Sequence, residues 1–356
     1  MLKDFLTNQD SWLNQEGPSS DIIFSSRIRL ARNFSDYPFP HRLSKFKKEN
    51  ILNRIQQVYK QVNCLRKSSF LRMEELDNLE RQLLLERHLI SLQHTSSPKG
   101  KGVIFSKDER IAVMINEEDH LRLQVISSGF DLKLCWHLLD ELDNELGLRF
   151  EFAFMPDLGY LTSCPTNVGT GLRVSCMLRL PALVITKRIN KILELLTKIS
   201  FTVRGLFGEG TAAYGDFFQI SNQVCLGLCE VELIENLAGV INQIKEQEVE
   251  ARRTLLKKYK LSIEDSTHRA LAILRNSRLI NSKEALGHLS MLSLGLDLGI
   301  IKGIKRNVIN NLFIISQPAH LQKIEDRPLK EQERDYIRAE IIRDKLKQED
   351  FLKIRN

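Results

Sequence analysis

Hydrophobic positions in this 356-residue chain follow two different rhythms. In the first part, short apolar runs predict strands at 103–106, 111–115, 121–127, 150–155, 172–178 and 217–221. The polar Lys107, Asp108 and Glu109 between the first two runs predict a hairpin turn. Helical periodicity marks 46–66, 68–91, 131–146, 183–199 and 229–260, the second of these carried by Leu71, Leu76, Leu79, Leu83 and Leu84. From about residue 262 the pattern is helical throughout, over 262–277, 283–297, 303–316 and 328–353. Gly287, Gly295, Gly299 and Gly303 punctuate it, and Pro318 and Pro328 break its later part. Runs of strands with helices elsewhere predict an α+β fold with a largely antiparallel sheet, followed by an all-helical unit. The expected division is 1–255 and 256–356, inside or just after a long charged helix.

Charge sharpens that division. The net charge is +7, yet residues 1–250 hold 30 Lys and Arg against 32 Asp and Glu, whereas residues 251–356 hold 22 against 13. A basic helical unit suits phosphate groups, acidic proteins or nucleic acid, and equally suits a solvated surface. It lacks aromatic-interleaved basic motifs, which argues against base stacking on nucleic acid. No apolar run approaches the roughly 20 residues that cross a bilayer. The first ten residues contain no apolar signal core, so a soluble, cytoplasmic protein without a membrane partner is expected. The six cysteines (Cys64, Cys135, Cys164, Cys176, Cys225 and Cys229) form no CxxC pair and no zinc site, so no protein-held metal is expected.

The chain lacks a GxxxxGK[ST] loop, HRD or DFG strings, GxSxG and HExxH. Arginines instead recur within short strings: Ser25-Ser-Arg-Ile-Arg29, Asn116-Glu-Glu-Asp-His-Leu-Arg122, Arg173-Val-Ser-Cys-Met177 and Arg204-Gly-Leu-Phe-Gly-Glu209. Arg27 and Arg29 are two apart and share one face of a strand; Arg122, Arg173 and Arg204 each open another strand-like run. Several guanidinium forks on one sheet face would clamp a triphosphate without a glycine loop, although each alone reads as a surface or ion-pair residue. Glu118 and Glu209, if opposed across a pocket, could hold a guanidinium, orient its nitrogen towards a γ-phosphate and accept its proton. Cys164, before Pro165, is either a thiolate lowered by nearby arginines or an inert buried thiol. His88 is either a nucleotide contact or a structural histidine.

These strings, with Cys164-Pro-Thr-Asn-Val-Gly-Thr170, resemble the ATP:guanido phosphotransferase family over roughly residues 20–225. The resemblance implies the phosphagen kinase catalytic fold, with ATP and Mg²⁺ as cofactors. It places Ser25, Ser26, Arg27, Ile28, Arg29, His88, Arg122, Arg173, Val174, Ser175, Cys176, Met177, Arg204, Gly205, Leu206, Phe207, Gly208 and Glu209 at ATP, and Glu118, Glu209 and Cys164 at the guanidinium. Typical phosphagen kinases carry a helical domain of about a hundred residues ahead of the string that here begins at Ser25. That difference and the basic helical tail resemble the bacterial protein arginine kinases of the McsB type. Arg334, Asp335 and Arg338 match that group's RDxxRA string and imply a phosphoarginine-binding site. The same resemblance implies protein substrates destined for a Clp ATPase and protease, a zinc-binding activator of the McsA type, and a homodimer. Ala212 and Ala213 depart from the family pattern, where a longer polar or acidic side chain is expected. The alternatives are a kinase of free arginine and a phosphoarginine-binding adaptor with little catalysis.

Overall fold

The computed structural model describes residue 8, residues 10–205 and residues 214–354. Its strands are β1 (Ile23–Arg32), β2 (Ser69–Arg72), β3 (Gly102–Phe105), β4 (Ile111–Ile115), β5 (Leu121–Ser128), β6 (Phe154–Met155), β7 (Gly159–Tyr160), β8 (Leu172–Arg179), β9 (Phe201–Arg204) and β10 (Phe217–Asn222). Its helices are α1 (Lys45–Val58), α2 (Asn78–Glu86), α3 (Leu92–Thr95), α4 (Leu132–Gly147), α5 (Pro181–Ile185), α6 (Ile189–Lys198), α7 (Glu230–Lys258), α8 (Lys260–Asn276), α9 (Ser282–Asp297), α10 (Arg306–Ile315), α11 (Pro318–Ile324) and α12 (Glu331–Ile354). Eight strands form one sheet in the order β2-β3-β4-β5-β1-β8-β10-β9, and each described pairing is antiparallel. The fold is α+β, with a helical C-terminal part.

Strand alternation gives the sheet two chemically different faces. Ile28 and Leu30 of β1, Leu123 and Val125 of β5, Val174 and Leu178 of β8 and Ile220 of β10 point to one side. There they bury against α4, whose apolar stripe is Leu132, Cys135, Leu139, Leu142 and Leu146, and against α7. The other face is apolar only towards its ends. At one end Phe24, Ile126, Met177 and Phe217 meet α9, α10 and α12; at the other Val103, Phe105, Ala112 and Met114 meet α2. A polar basin is left between these two apolar clusters.

Asp297 fastens the C-terminal helices to the sheet. This buried carboxylate meets Arg179 at 2.8 Å, Arg252 at 3.2 Å and Arg306 at 2.5 Å. A second fastening lies where α11 begins. Glu86, at the end of α2, accepts the Ala319 amide at 2.8 Å, the His320 amide at 3.1 Å and His320 Nδ1 at 2.8 Å. Pro318 therefore opens a helix at its first position instead of breaking one, since its missing N–H needs no partner there.

Other elements depart from the sequence pattern. The helix expected over 68–91 begins as β2, because Ser69–Arg72 pairs with β3, and only Asn78–Glu86 is an α-helix. The helix expected over 183–199 divides into α5 and α6 around Lys187, whose φ is +59°. The strand expected over 150–155 shrinks to β6. Arg204 ends β9 instead of opening a strand.

Candidate active site

Register alone places the five candidate arginines on one face. Arg27 of β1 sits opposite Ile126 of β5 and Ser175 of β8, and Arg29 sits opposite Gln124 and Arg173. Arg122 pairs with Ala31 on that face, and Arg204 lies beside Gln219, which in turn faces Met177. Directly paired residues of antiparallel strands project to the same side. The five guanidinium groups thus come from β1, β5, β8 and β9 and enter the polar basin together.

Their crowding is electrostatically costly. Burial, then the charges of Arg122, Arg173 and Arg204, push the Arg27 guanidinium down to about 9. Arg29 is also held well below its ordinary value, by burial and then by Arg27, Arg122 and Arg173. Arg27 donates to Gln219 Oε1 at 2.8 Å, whereas Nε and Nη2 of the buried Arg29 have no hydrogen-bond partner among the described residues. Buried guanidinium donors left free by the described side chains suit an anionic ligand. His88 lines a small pocket in the basin with Ser25, Arg27, Ser175 and Gln219. Burial and then Arg27 hold its imidazole down to about 3, so it is neutral at physiological pH.

At one edge of the basin Glu117 accepts two contacts from Arg122 Nη1, at 2.7 and 2.6 Å, and one from the Ser91 hydroxyl. Burial would raise the Glu117 carboxyl, but Arg122 outweighs it and leaves it at about 2. Glu118 is exposed and lines an open cleft of about 400 Å³ with Glu117, His41, Lys48, Lys101 and Ser163. Although the residue reaches the surface, partial burial of its carboxyl, and then the neighbouring Asp119, raise that carboxyl above the ordinary value. Asp119 in turn accepts Asn33 Nδ2 and the Ser163 amide, each at 2.7 Å, which ties the carboxylate loop to the segment carrying Cys164. Cys164 is partly exposed, with Sγ 3.1 Å from Thr166 Oγ1.

Comparison with known proteins bears on this geometry. The family model described as the ATP:guanido phosphotransferase C-terminal catalytic domain matches residues 50–251. A second, the protein-arginine kinase McsB C-terminal domain, matches residues 260–355. The chain belongs to the ATP:guanido phosphotransferase family. It is an ATP-dependent enzyme of that family, a guanidino kinase. Among its curated relatives, the protein-arginine kinase of Desulforamulus reducens is 47% identical over 349 residues, covering 97% of this chain and 98% of that protein. That of Halothermothrix orenii is 45% identical over 346 residues (97% and 99%), and that of Bacillus subtilis 43% over 348 residues (97% and 96%). Among solved structures, the duplicated taurocyamine kinase of Schistosoma mansoni, with bound transition-state analogue components, aligns with TM-score 0.59 and 26% identity over 66% of this chain and 34% of that one. A lombricine kinase at 22% identity and TM-score 0.57, covering 66% and 69%, shares the fold.

Besides Glu118 and Cys164, the expected site residues of this family member fall into four groups. Ser25, Arg27, Arg29, Arg122, Arg173, Ser175, Met177 and Arg204 occupy the basin face, and His88 enters it from the loop after α2. Ser26, Ile28, Val174 and Cys176 do not, because alternation sends them into the helix-covered core. Ser26 there bonds the Gly129 carbonyl at 2.8 Å, and burial pushes the Cys176 thiol up to about 12. Their side chains pack in that core. Gly205 follows β9, while Leu206, Phe207, Gly208 and Glu209, with Ala212 and Ala213, lie outside the described residues. Arg338 is buried and donates to the Ser316 carbonyl at 2.8 Å, the Ile280 carbonyl at 2.8 Å and Asp335 Oδ1 at 2.5 Å, with Arg334 half-buried one turn earlier. Its first role is to bind carbonyls between helices. Gln219 and Gln124 escaped the sequence reading, which named Asp119 only as one of the acidic residues near the arginines. Gln124 shares the register of Arg29 and holds the His88 carbonyl at 2.7 Å. Only the strand period could have found the two glutamines.

Proposed function

We propose that this chain transfers the γ-phosphoryl group of ATP to arginine side chains presented by proteins. The observation that carries the reading is the single face with five arginines, one of them with buried donors that have no partner among the described residues, beside an open cleft with an exposed carboxylate. The nucleotide's triphosphate would lie on Arg27, Arg29, Arg122, Arg173 and Arg204, with its base towards the neutral His88. Mg²⁺ would accompany it on the phosphate oxygens, neutralising charge there. Glu118 would accept guanidinium N–H groups and hold one nitrogen in line with the γ-phosphorus. As the N–P bond forms and the bond to the β-phosphate oxygen breaks, the nitrogen's proton passes to the carboxylate. Burial and Asp119 raise the Glu118 carboxyl, which makes it a better base. By family resemblance Glu209 and Cys164 would complete the guanidinium site.

The same reading assigns 1–255 to catalysis and 256–356 to dimerisation and to phosphoarginine binding at Arg334, Asp335 and Arg338. It places the enzyme in the cytoplasm, beside a zinc-binding activator, marking proteins for a Clp-type protease. No helix among the described residues is long and apolar enough to cross a membrane. The test is mass spectrometry under non-acidic conditions, after incubating an unfolded protein with Mg-ATP. Phosphoarginine from the wild type, with at least a hundredfold less from Glu118→Gln, is expected. Turnover of free arginine alone would overturn the reading.

A further inference from the structure

The cleft that holds Glu118 has an acidic floor and a basic wall. On the floor, Glu117 is neutralised by Arg122, so Glu118 faces the opening as the available carboxylate. On the wall stand Lys48 and Lys101, with Lys99 exposed on the Ser96–Gly100 loop whose serines also line the cleft. Lys101 is pinned: Nζ donates to the Gln93 carbonyl at 3.0 Å and the Ser96 carbonyl at 2.8 Å. Lys48 and Lys99 make no ion pair among the described residues. Other lysines do, such as Lys323 with Glu80 at 3.3 Å.

Hydrogen bonds from Asn116 tie wall and floor together. Buried Asn116, next to Glu117 and at φ +58°, donates from Nδ2 to the Lys48 carbonyl at 3.0 Å and the Gly100 carbonyl at 2.8 Å. Gly100, at φ +70°, lets the loop lie against α1, since a Cβ there would come within 2.9 Å of Lys48 Cβ. The main chain that carries Lys48, at the cleft, and Lys99, on its neighbouring loop, is therefore anchored beside the carboxylate that would receive the target guanidinium. A lone arginine side chain needs only the floor. Cations at this wall suit acidic side chains next to the target.

We infer that this wall selects the sequence around the target arginine, favouring protein segments in which Asp or Glu flanks it and disfavouring Lys or Arg neighbours. The inference rests on the proposed arginine kinase reading and names the substrate class of that site. Charges at the rim of an interface act mainly on encounter rate and on specificity, and they are screened by salt.

Capped peptides test it, because they carry no terminal carboxylate. One central arginine would be flanked by Asp, by Ser or by Lys, and kcat/KM for phosphorylation measured at low and at 0.5 M salt, with free arginine alongside. The acidic peptide is expected to exceed the neutral one by about fivefold and the basic one by more, the differences shrinking in salt. Lys48→Glu combined with Lys99→Glu should bring the acidic-to-neutral ratio to one or below. Lys99→Glu alone, at an exposed loop position, should move it part of the way and guards against misfolding of the double variant. Equal rates for all three capped peptides would overturn the inference and leave the kinase reading standing. Phosphorylation of free arginine with none of any capped peptide would overturn both.

Discussion

Arg29 sits where binding and stability conflict. Its guanidinium is buried among like charges, with Nε and Nη2 lacking partners among the described residues. An unpaired buried charge costs folding free energy, which an apolar side chain of similar length would relieve. Arg29→Met should therefore raise the melting temperature of the ligand-free enzyme by a few degrees, on the order of 1–2 kcal/mol. The same variant should lose the thermal stabilisation that ATP gives the wild type, and its kcat/KM should fall at least a hundredfold. Differential scanning fluorimetry with and without Mg-ATP checks both signs. A melting temperature that drops would mean that Arg29 has a structural partner. That Arg27 and Arg29 share a face was legible from their spacing. The buried, unsatisfied state of Arg29 was not, because it depends on Gln124 and Arg173 arriving beside it from β5 and β8.

Among elements, α2 and α11 show how local pattern and tertiary context diverge. The leucines of 68–91 carry a helical period through a segment that opens as β2, since pairing with β3 satisfies the backbone of Ser69–Arg72. α11 hangs on Glu86, whose carboxylate takes the first amides of that helix and the ring of His320. His88, two residues further, enters the nucleotide basin. Glu86→Ala should thus destabilise the fold by about 2–3 kcal/mol, since it leaves two buried amides without an acceptor. It should also raise the KM for ATP severalfold with a smaller change in kcat. Denaturant unfolding and steady-state kinetics on the same variant separate the two effects.

Across the whole molecule, two buried features set stability. Asp297 gathers Arg179, Arg252 and Arg306, and Asp297→Asn should cost about 3–5 kcal/mol by leaving buried cations without their counter-charge. Chemical denaturation measures it directly. Acid sensitivity comes from buried histidines. Burial holds His94 and His120 down to about 4 each, below the roughly 6.5 of an unfolded chain. Between pH 6.5 and 4 the unfolded state then binds protons that the fold refuses, so stability falls as pH falls. Each histidine contributes a slope of up to about 1.4 kcal/mol per pH unit in that window. Glu117, held at about 2, adds a loss in the same direction below about pH 4.5. Unfolding free energies at pH 7, 6 and 5 should show that decline, and His94→Gln should reduce its slope. An unchanged slope would mean that His94 takes up its proton in the folded state.

The amino-acid sequence by itself determined the chemistry available: permanently charged forks at Arg27, Arg29, Arg122, Arg173 and Arg204, a carboxylate at Glu118, and a basic excess confined to the last third. It also determined the strong local periods, such as α4, α7 and the β3–β4 hairpin, because those depend on residues close along the chain. Tertiary structure decided which residues meet. Register across β1, β5, β8 and β9 converts scattered arginines into one basin and turns Ser26, Ile28, Val174 and Cys176 away from it. Pairing with Arg122 takes Glu117 out of play and leaves Glu118 open, and Asn116 fixes a basic wall beside it. These outcomes rest on hydrogen bonds and charges between positions far apart in the chain, which no local pattern of hydrophobic and polar residues encodes.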